Sequence, residues 1–467
     1  MVTNVCQLTL TNRTLVPHHM KTRRLFFRAL SLVLLGCWLA CAPIAQAKTV
    51  LTLEQAIATA LSQSPVLGAS RYEMSAASAA TRSATGRLWP QLDAYAGYQR
   101  LSDPAAVAPI KTPVFSRDQY RTGINLKIPI YHGGRLRGLT AIADIEKAIA
   151  KTNFEFKAQD LVSNVTNVFN LILYLKALRH AQQETLAALR KARDDAALKL
   201  KVGRIAPVDL MQLDTQVATQ EQALIKTREA ERRTRQSLAM LLGWEPRREP
   251  DAQGTLTPAQ IDLSGEDVAR MIEDRPDVRR ARNEVRKAEA AVKIARGAHL
   301  PSLDLVGDYG RRAGSGLEGN EEVWSAGVSL TLNLFSGGTI SSQVREAKHR
   351  LMAARENLRA TRLRAQAEVL QAVSSLKEAE HRLILARTAK KTAAESYRIE
   401  ELRYKTGAGT VTDVLLAQAA WLNAQTSELA AIYDHQAAAV SYRLATGKIN
   451  ASYSRWRKNL HKKVLER

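Results

Sequence analysis

The chain has 467 residues, carries 68 Lys and Arg against 45 Asp and Glu, and is only 5% aromatic. A net charge of +23 would suit a nucleic-acid binder. However, Arg and Glu alternate along the predicted helices, which favours solvated helix faces and argues against nucleic acid as a partner. The three cysteines, Cys6, Cys37 and Cys41, all precede residue 42, so a mature chain that begins after them has no thiol.

Residues 1–47 predict an export signal with its start at Met20. An apolar stretch over 29–42 is followed by small residues that favour cleavage after Ala47. The basic residues before this stretch are Lys21, Arg23, Arg24 and Arg28. A lipobox-like sequence ending at Cys37 leaves lipidation as an alternative, ranked second because no polar spacer follows it. No later run of about 18 apolar residues occurs, so we expect no transmembrane helix.

The rest of the chain is duplicated. Residues at the predicted ends of helices and strands in the first half recur in the second half. They lie 211 positions later before the loop 99–119 and 204 positions later after it, so the offset changes within this loop. Matched pairs include Pro65 with Pro276, Pro90 with Pro301, Gly203 with Gly407, and Asp209 with Asp413. Such agreement over most of the chain indicates an internal repeat. The predicted units are a first repeat at 48–243, a linker at 244–264, a second repeat at 265–447 and a basic tail at 448–467.

Each repeat predicts a short helix, a second helix that starts at a proline, two strands, a very long helix and a final helix. The predicted helices are 53–62, 65–88, 135–200 and 209–242, and then 265–274, 276–299, 339–403 and 413–446. At 1.5 Å per residue, each long helix would measure about 100 Å. Ala and Leu recur every seven residues along the second one, from Val344 to Ala393, beside a row of Val369, Leu376 and Leu383. This narrow stripe predicts coiled-coil-like packing.

The four predicted strands lie at about 90–100, 119–131, 301–310 and 323–335. Apolar and polar residues alternate strictly along the second and fourth, which is typical of membrane β-strands with an apolar outer face. A half-buried soluble hairpin is the alternative. The predicted lipid-facing residues are Ile124, Leu126, Ile128, Val328, Leu330 and Leu332. The candidates for the aromatic belts at the membrane interfaces are Trp89, Tyr98, Tyr120 and Trp324, although some could be ordinary loop aromatics.

Four strands are too few to close a barrel in lipid. An open sheet would leave two edges of unpaired backbone groups, each of which costs several kcal/mol. Because a closed barrel needs about eight strands or more, several copies of the chain must share one barrel. Strand number alone does not choose between two copies and three.

A turn joins the long and final helices of each repeat, at 201–209 and at 404–413. We expect Gly407 and Gly409 to end the second long helix, because glycine tolerates the backbone conformation that a helix stop requires. We expect Thr412 or Asp413 to cap the next helix. Simple capping is a sufficient role for both Asp209 and Asp413, and a role in a gate is compatible with it.

The signal, the duplicated helix–strand–strand–helix unit and the paired turns together resemble the TolC-like outer membrane efflux family, the outer membrane factors of tripartite export systems. The resemblance spans 51–447. It rests on Leu51 to Leu61, on Leu88-Trp-Pro-Gln-Leu92 with its partner at 299–303, on the two Gly-Gly motifs at 133–134 and 337–338, and above all on Tyr404 to Leu415.

The resemblance implies a fold class of long all-α helices in a coiled-coil barrel plus β strands, assembled as a homotrimer. Twelve strands would form an outer-membrane β-barrel, and twelve helices would continue it as an α-barrel through the periplasm. The implied function is a passive exit duct of an efflux or type I secretion system, without enzymatic activity, cofactor or metal. The implied partners are outer-membrane lipid, a periplasmic adaptor protein and an inner-membrane RND, ABC or MFS transporter. A coiled-coil scaffold without a channel is the alternative, and the sequence does not identify the exported substrate.

In this family the turns form the periplasmic gate and adaptor-docking tip. The residues implied here are Gly203, Asp209, Tyr404, Gly407 and Asp413, with the Tyr404 hydroxyl tying the closed state to a neighbouring helix. Two positions depart from the best-known member: Gly409 replaces an Arg, and Leu416 replaces a second Asp. Basic residues flank both turns, so we also expect the entrance to be less cation-selective than one formed by an acidic ring. The basic residues are Lys199, Lys201, Arg204, Arg403 and Lys405.

Overall fold

The computed structural model describes residues 49–102, 117–261, 268–314, 317 and 320–450. The predicted signal, the lipidation alternative at Cys37 and all but the start of the basic tail lie outside these ranges. The first helix–strand–strand–helix unit contains α1 (Leu53–Gln63), α2 (Pro65–Gly86), β2 (Gln91–Arg100), β3 (Asp118–His132), α3 (Arg135–Lys201) and α4 (Pro207–Leu242). The second contains α5 (Val268–Asp274), α6 (Pro276–Gly297), β5 (Ser302–Ala313), β6 (Glu321–Thr331), α7 (Thr339–Lys405) and α8 (Val411–Ala445). Two short strands, β1 (Val50–Leu51) and β4 (Asp251–Ala252), pair in parallel.

The two long helices, α3 and α7, have 67 residues each, which corresponds to about 100 Å. The buried residues of α7 are Ala365, Val369, Ala372, Leu376, Ala379 and Leu383, at alternating spacings of four and three. This is the heptad stripe that the sequence predicts, and its small side chains allow close helix packing.

The apolar core is concentrated midway along the long helices. One cluster joins α1 and the middle of α3 to the ends of α4 and α8, and includes Leu61, Phe169 and Leu238. A second joins α5, α6, α7 and the end of α8, and includes Val278, Val369 and Tyr442. The short helices of each repeat therefore pack against the centre of that repeat's long helix, and α6 also contacts α3 through the ion pairs Arg279–Glu155 and Lys287–Glu146.

Among the described residues, α3 also contains an 18-residue window apolar enough to cross a membrane. The prediction from the sequence, which required consecutive apolar residues, did not identify it. Since 56% of that window is buried within the chain, more than half of it belongs to the packed interior.

Strands β2, β3, β5 and β6 form one antiparallel sheet in that order. A register shift between Pro129 and Tyr131 marks an irregularity in β3. Strand β2 begins opposite Lys127, so Pro129 has a strand partner only in β5. Because proline lacks an N–H, this position avoids the loss of a backbone hydrogen bond to β2. Strand β6 ends at Thr331, four residues before the predicted end, so the predicted strand residue Leu332 lies just outside the sheet. A turn at 336–338 then leads into α7.

Candidate functional sites in the sheet and at the helical tips

One face of the sheet is apolar. Cross-strand pairs place Leu92 beside Leu126, Ile128 beside Leu305, and Leu305 beside Val328. Of the predicted lipid-facing residues, this face contains Ile124, Leu126, Ile128, Val328 and Leu330, and lacks Leu332. Val328 and Leu330 are 63% and 67% exposed in the single chain. Such a broad exposed apolar surface requires a covering partner or lipid.

The opposite face is polar. Its side chains include Gln91, Asp93, Tyr95, Arg121, Asn125, Lys127, Asp304, Asp308, Arg312 and Ser325. At the end of the sheet nearest the long helices, Asp304 Oδ1 lies 2.8 Å from His132 Nε2, and Asp304 Oδ2 lies 3.5 Å from Lys127 Nζ. The sheet therefore separates an apolar surface from a polar one, as a wall between lipid and a water-filled lumen does.

Aromatic residues stand at the ends of the apolar face. Tyr98 and Tyr120 pair across strands with ring centres 5.0 Å apart, and Trp324 pairs with Tyr309. Trp89 lies in the turn before β2 and is 67% exposed. Three of the four predicted belt residues thus lie at the loop end of the sheet and one at the helical end. Their position at membrane interfaces stays a prediction.

The two outer strands of the sheet, β2 and β6, each have only one strand neighbour within the described chain. Each edge therefore presents a row of backbone groups without a ladder partner. These edges are ten and eleven residues long, which is long enough to cross a membrane.

At the opposite end of the long helices, the first tip joins α3 to α4. Gly203 has φ of +69°, which ends α3 in the left-handed conformation. Asp209 accepts a 3.2 Å hydrogen bond from the backbone N–H of Ala206. Ala206 has no side-chain oxygen with which to reciprocate, so only half of a capping box is present.

The second tip joins α7 to α8 and has a complete capping box. Gly407 has φ of +81° and ends α7. Thr410 Oγ1 accepts from the Asp413 N–H at 3.2 Å, and Asp413 Oδ2 accepts from the Thr410 N–H at 3.1 Å. The cap is therefore Thr410, and the prediction of Thr412 or Asp413 was wrong. The Thr410 hydroxyl also donates a 2.7 Å hydrogen bond to Asp413 Oδ2. This bond and the one from the Thr410 N–H lower the pKa of the Asp413 carboxyl, because both favour its charged form.

Gly409 serves a different purpose from Gly407. Its φ lies outside the left-handed region, but an added Cβ would lie 3.2 Å from both Arg403 Cβ and Tyr404 N. Gly409 therefore permits the turn to pack closely on the last turn of α7. An Arg at this position would have to displace that contact.

The two tips of one chain pack against each other through a small apolar cluster of Ala196, Leu213 and Val411, with Tyr404 against it. The Lys199 ammonium lies 4.1 Å from the centre of the Tyr404 ring. Thr412 Oγ1 donates a 3.3 Å hydrogen bond to Gln212 Oε1. Sequence reasoning missed Lys199 as a contact of Tyr404, and also Leu213 and Val411. The duplication shows that both tips exist, but only their pairing in space selects these residues.

The basic residues at the tips differ in their pairing. Arg403 Nη1 lies 3.0 Å from Glu400, and Lys405 Nζ lies 2.8 Å from Glu401. Lys201 and Arg204 are exposed and form no ion pair with any other described residue. The uncompensated positive charge is therefore concentrated on the first tip.

Two comparisons of the whole chain define the class of protein. A family model described as "Outer membrane efflux protein" matches residues 56–244 and 268–448. The crystal structure of VceC from Vibrio cholerae superposes with a TM-score of 0.74 at 22% identity, covering 85% of this chain and 96% of that one. A membrane protein from Pseudomonas aeruginosa gives a TM-score of 0.77 at 21% identity, with 87% and 97% covered. The fold is that of a TolC-like outer-membrane channel.

The chain belongs to the outer membrane efflux protein family. One curated relative, the outer membrane efflux protein BepC of Brucella suis, is 24% identical over 355 residues, which cover 73% of this chain and 75% of BepC. The protein is therefore an outer-membrane channel that extends into the periplasm, and the resemblance inferred from the sequence is confirmed.

Proposed function

We propose that three copies of the chain form one channel that serves as the exit duct of a tripartite efflux or secretion system. The observation that carries this proposal is the two-faced sheet with two open edges, joined directly to both 67-residue helices. Pairing β6 of one copy with β2 of the next extends the antiparallel order around a ring. Three copies supply twelve strands and twelve helical segments, so that no edge remains in lipid.

The tips are proposed to form the periplasmic entrance. Each chain contributes two tips, held together by the contact of Lys199 with Tyr404 and by the Leu213–Val411 packing. Six tips would surround one aperture. Because these contacts are few and partly exposed, a displacement of one hairpin against the other costs little free energy, which suits a gate.

An adaptor protein and an inner-membrane transporter are the proposed partners. Apolar side chains at the tips remain exposed in the single chain, among them Val202 at 69%, Met211 at 66% and Leu416 at 66%. Neighbouring copies or an adaptor would cover them. Transport through the duct is passive, so the energy comes from the partner pump. One relative, BepC, is an outer membrane efflux protein, which favours efflux as the role of the duct.

Assembly can be tested with a matched pair of substitutions. Val328→Lys places an ammonium group on the apolar face, whereas Ser329→Lys places the same group one residue later on the polar face, opposite Asp304. We expect Val328→Lys to reduce heat-modifiable trimers in outer-membrane fractions strongly, because a Lys that faces lipid costs about 2–4 kcal/mol at the middle of the bilayer. Ser329→Lys should assemble and conduct in planar bilayers. Equal trimer yields from both variants, or a native chain that remains monomeric in the soluble periplasm, would contradict the proposal.

A further inference from the structure

On the polar face of the sheet, Tyr95 reaches across two strands. Tyr95 in β2 pairs with Gly123 in β3, which in turn pairs with Gly310 in β5. The Tyr95 hydroxyl donates a 3.0 Å hydrogen bond to Oδ1 of Asp308 in β5. Because neighbouring strands are about 4.8 Å apart, this bond can form only if the ring lies along the sheet. Strand side chains ordinarily stand perpendicular to it.

The two glycines provide the space for this ring. A Cβ on Gly123 would lie 2.7 Å from both Tyr95 Oη and the Tyr309 carbonyl oxygen, and a Cβ on Gly310 would lie 2.5 Å from the Thr122 carbonyl oxygen and 3.1 Å from Tyr95 Oη. By contrast, a Cβ on Gly97, on the same face of β2, would meet nothing within 4 Å. The notch formed by Gly123 and Gly310 therefore accommodates both the close approach of β3 and β5 and the phenol, and a larger residue at either position would disturb both.

We propose that docking of Tyr95 on this notch sets the effective width of the barrel lumen. This inference rests on the proposed function, since it requires the polar face to line a lumen. When its hydroxyl is bonded to Asp308, the Tyr95 ring lies flat on the polar face of the sheet. When the bond is broken, the ring projects into the water-filled lumen, and the equivalent rings of the other subunits project at the same level. Tyr95 thus sets the width of the barrel lumen at this level, and Asp308 acts through it as a positioning residue.

A purely structural role is the competing explanation, because an aromatic ring that covers a strand glycine stabilises a sheet by itself. That role predicts changes in thermal stability with no change in the current through an assembled channel. Single-channel recording in planar bilayers separates the two. Currents are compared in the most conductive state, because a narrow periplasmic end in series would hide the resistance of the barrel.

The first variant pair isolates the hydrogen bond from charge. Tyr95→Phe keeps the ring and changes no charge. We expect a lower mean open-channel conductance, because the loss of one hydrogen bond raises the population of the projecting ring roughly two- to tenfold. An exposed side chain moves within nanoseconds, so the effect is an averaged current and not separate current levels. Asp308→Asn keeps an acceptor oxygen and should conduct more than Asp308→Ala, which removes the same charge.

The second pair shows whether the ring itself is the obstacle. Adding Tyr95→Ala to Asp308→Ala should raise the conductance to at least that of Asp308→Asn, because no ring remains to project. Asp93→Ala removes a carboxylate from the same face of β2 and measures how far the loss of one charge alone changes the conductance. An unchanged low conductance in the double variant, or native conductance in Tyr95→Phe, would overturn the inference while leaving the channel function intact. An inserted native protein that passes no current would overturn both.

Discussion

The ammonium group of Lys199 in α3 lies 4.1 Å from the centre of the Tyr404 ring in α7, so a cation–π contact joins the two helical hairpins of one chain. Among the described residues, the Tyr404 hydroxyl has no hydrogen-bond partner within the chain. The resemblance to the family implies that the hydroxyl ties the closed state to a neighbouring helix, and this stays a prediction. Within the described chain, the aromatic face of Tyr404 makes the contact between the two tips.

The first prediction separates ring from hydroxyl. Tyr404→Phe should leave closed-state conductance near that of the native channel, whereas Tyr404→Leu and Lys199→Gln should raise it. The contact is worth about 0.5–1 kcal/mol at a partly exposed site, so the increase should be modest. Planar-bilayer recording gives the measurement, with Lys201→Gln as a control at the same tip. Equal closed-state conductance in Tyr404→Phe and Tyr404→Leu would show that the hydroxyl, and not the ring, holds the closed state.

The second prediction concerns pH. Hydrogen bonds from Thr410 lower the pKa of Asp413 in the folded tip. A depressed pKa means that the carboxylate stabilises the tip above its unfolded pKa of about 3.9, and that this contribution is lost as pH falls further, through the folded value. The protection of the amides at the start of α8, measured relative to their intrinsic exchange rate at each pH, should therefore fall below about pH 4.

The control for this pH effect is Asp413→Asn, which should show weak protection at the start of α8 at every pH. Asp209→Asn at the first tip should have a smaller effect, because its capping box is incomplete. Protection in the native protein that is the same at neutral and acid pH would rule out Asp413 as the titrating group.

The third prediction concerns a buried ion network. The Glu231 side chain is 4% exposed and lies 2.9 Å from Arg179 and 2.5 Å from Arg235. Glu231→Ala leaves both cations without this partner and should cost about 3–5 kcal/mol. Glu221→Ala removes an exposed pair with Arg190 and should cost at most about 1 kcal/mol. Heat dissociation of the trimer measures both, and equal midpoints would show that the burial of Glu231 is unimportant.

The fourth prediction uses the duplication as its own control. Gly243 and Gly447 end α4 and α8 with φ of +78° and +72°. A Cβ on Gly243 would lie 2.5 Å from the Gln63 carbonyl oxygen, whereas one on Gly447 would meet nothing within 4 Å. Gly447→Ala should cost only the left-handed strain of about 1–2 kcal/mol. Gly243→Ala should cost clearly more, and the reverse order of midpoints in the same assay would refute the close approach.

The fifth prediction concerns ion selectivity. Lys201 and Arg204 have no acidic partner among the described residues, so the entrance should be less cation-selective than an acidic ring. Reversal potentials in a salt gradient should shift toward cation selectivity in a Lys201→Glu, Arg204→Glu variant. The same double change at Arg403 and Lys405, which already have Glu partners, is the comparison. Strong cation selectivity in the native channel would contradict the expectation.

Much of the local structure was accessible from the sequence, because local chemistry determines it. Gly-Gly pairs precede both long helices, and the predicted limits of α3 and α7 fall within two residues of those observed. Errors occurred where a local pattern continued past its structural end. The alternation through Leu332 outlasts β6, since the chain turns away toward the Gly-Gly pair after Thr331. At the second tip, Thr410, Thr412 and Asp413 are all acceptable caps, and only the path of the turn chooses Thr410.

The sequence by itself determined the duplication, the two-faced strands and the heptad stripe, because periodicity and glycine or proline punctuation are properties of the chain alone. Only the tertiary structure decided which residues meet across repeats. Lys199 contacts Tyr404, and Tyr95 reaches Asp308, over separations of about two hundred residues. No local pattern encodes such pairs, since they depend on strand register and on how two long helices are aligned beside each other.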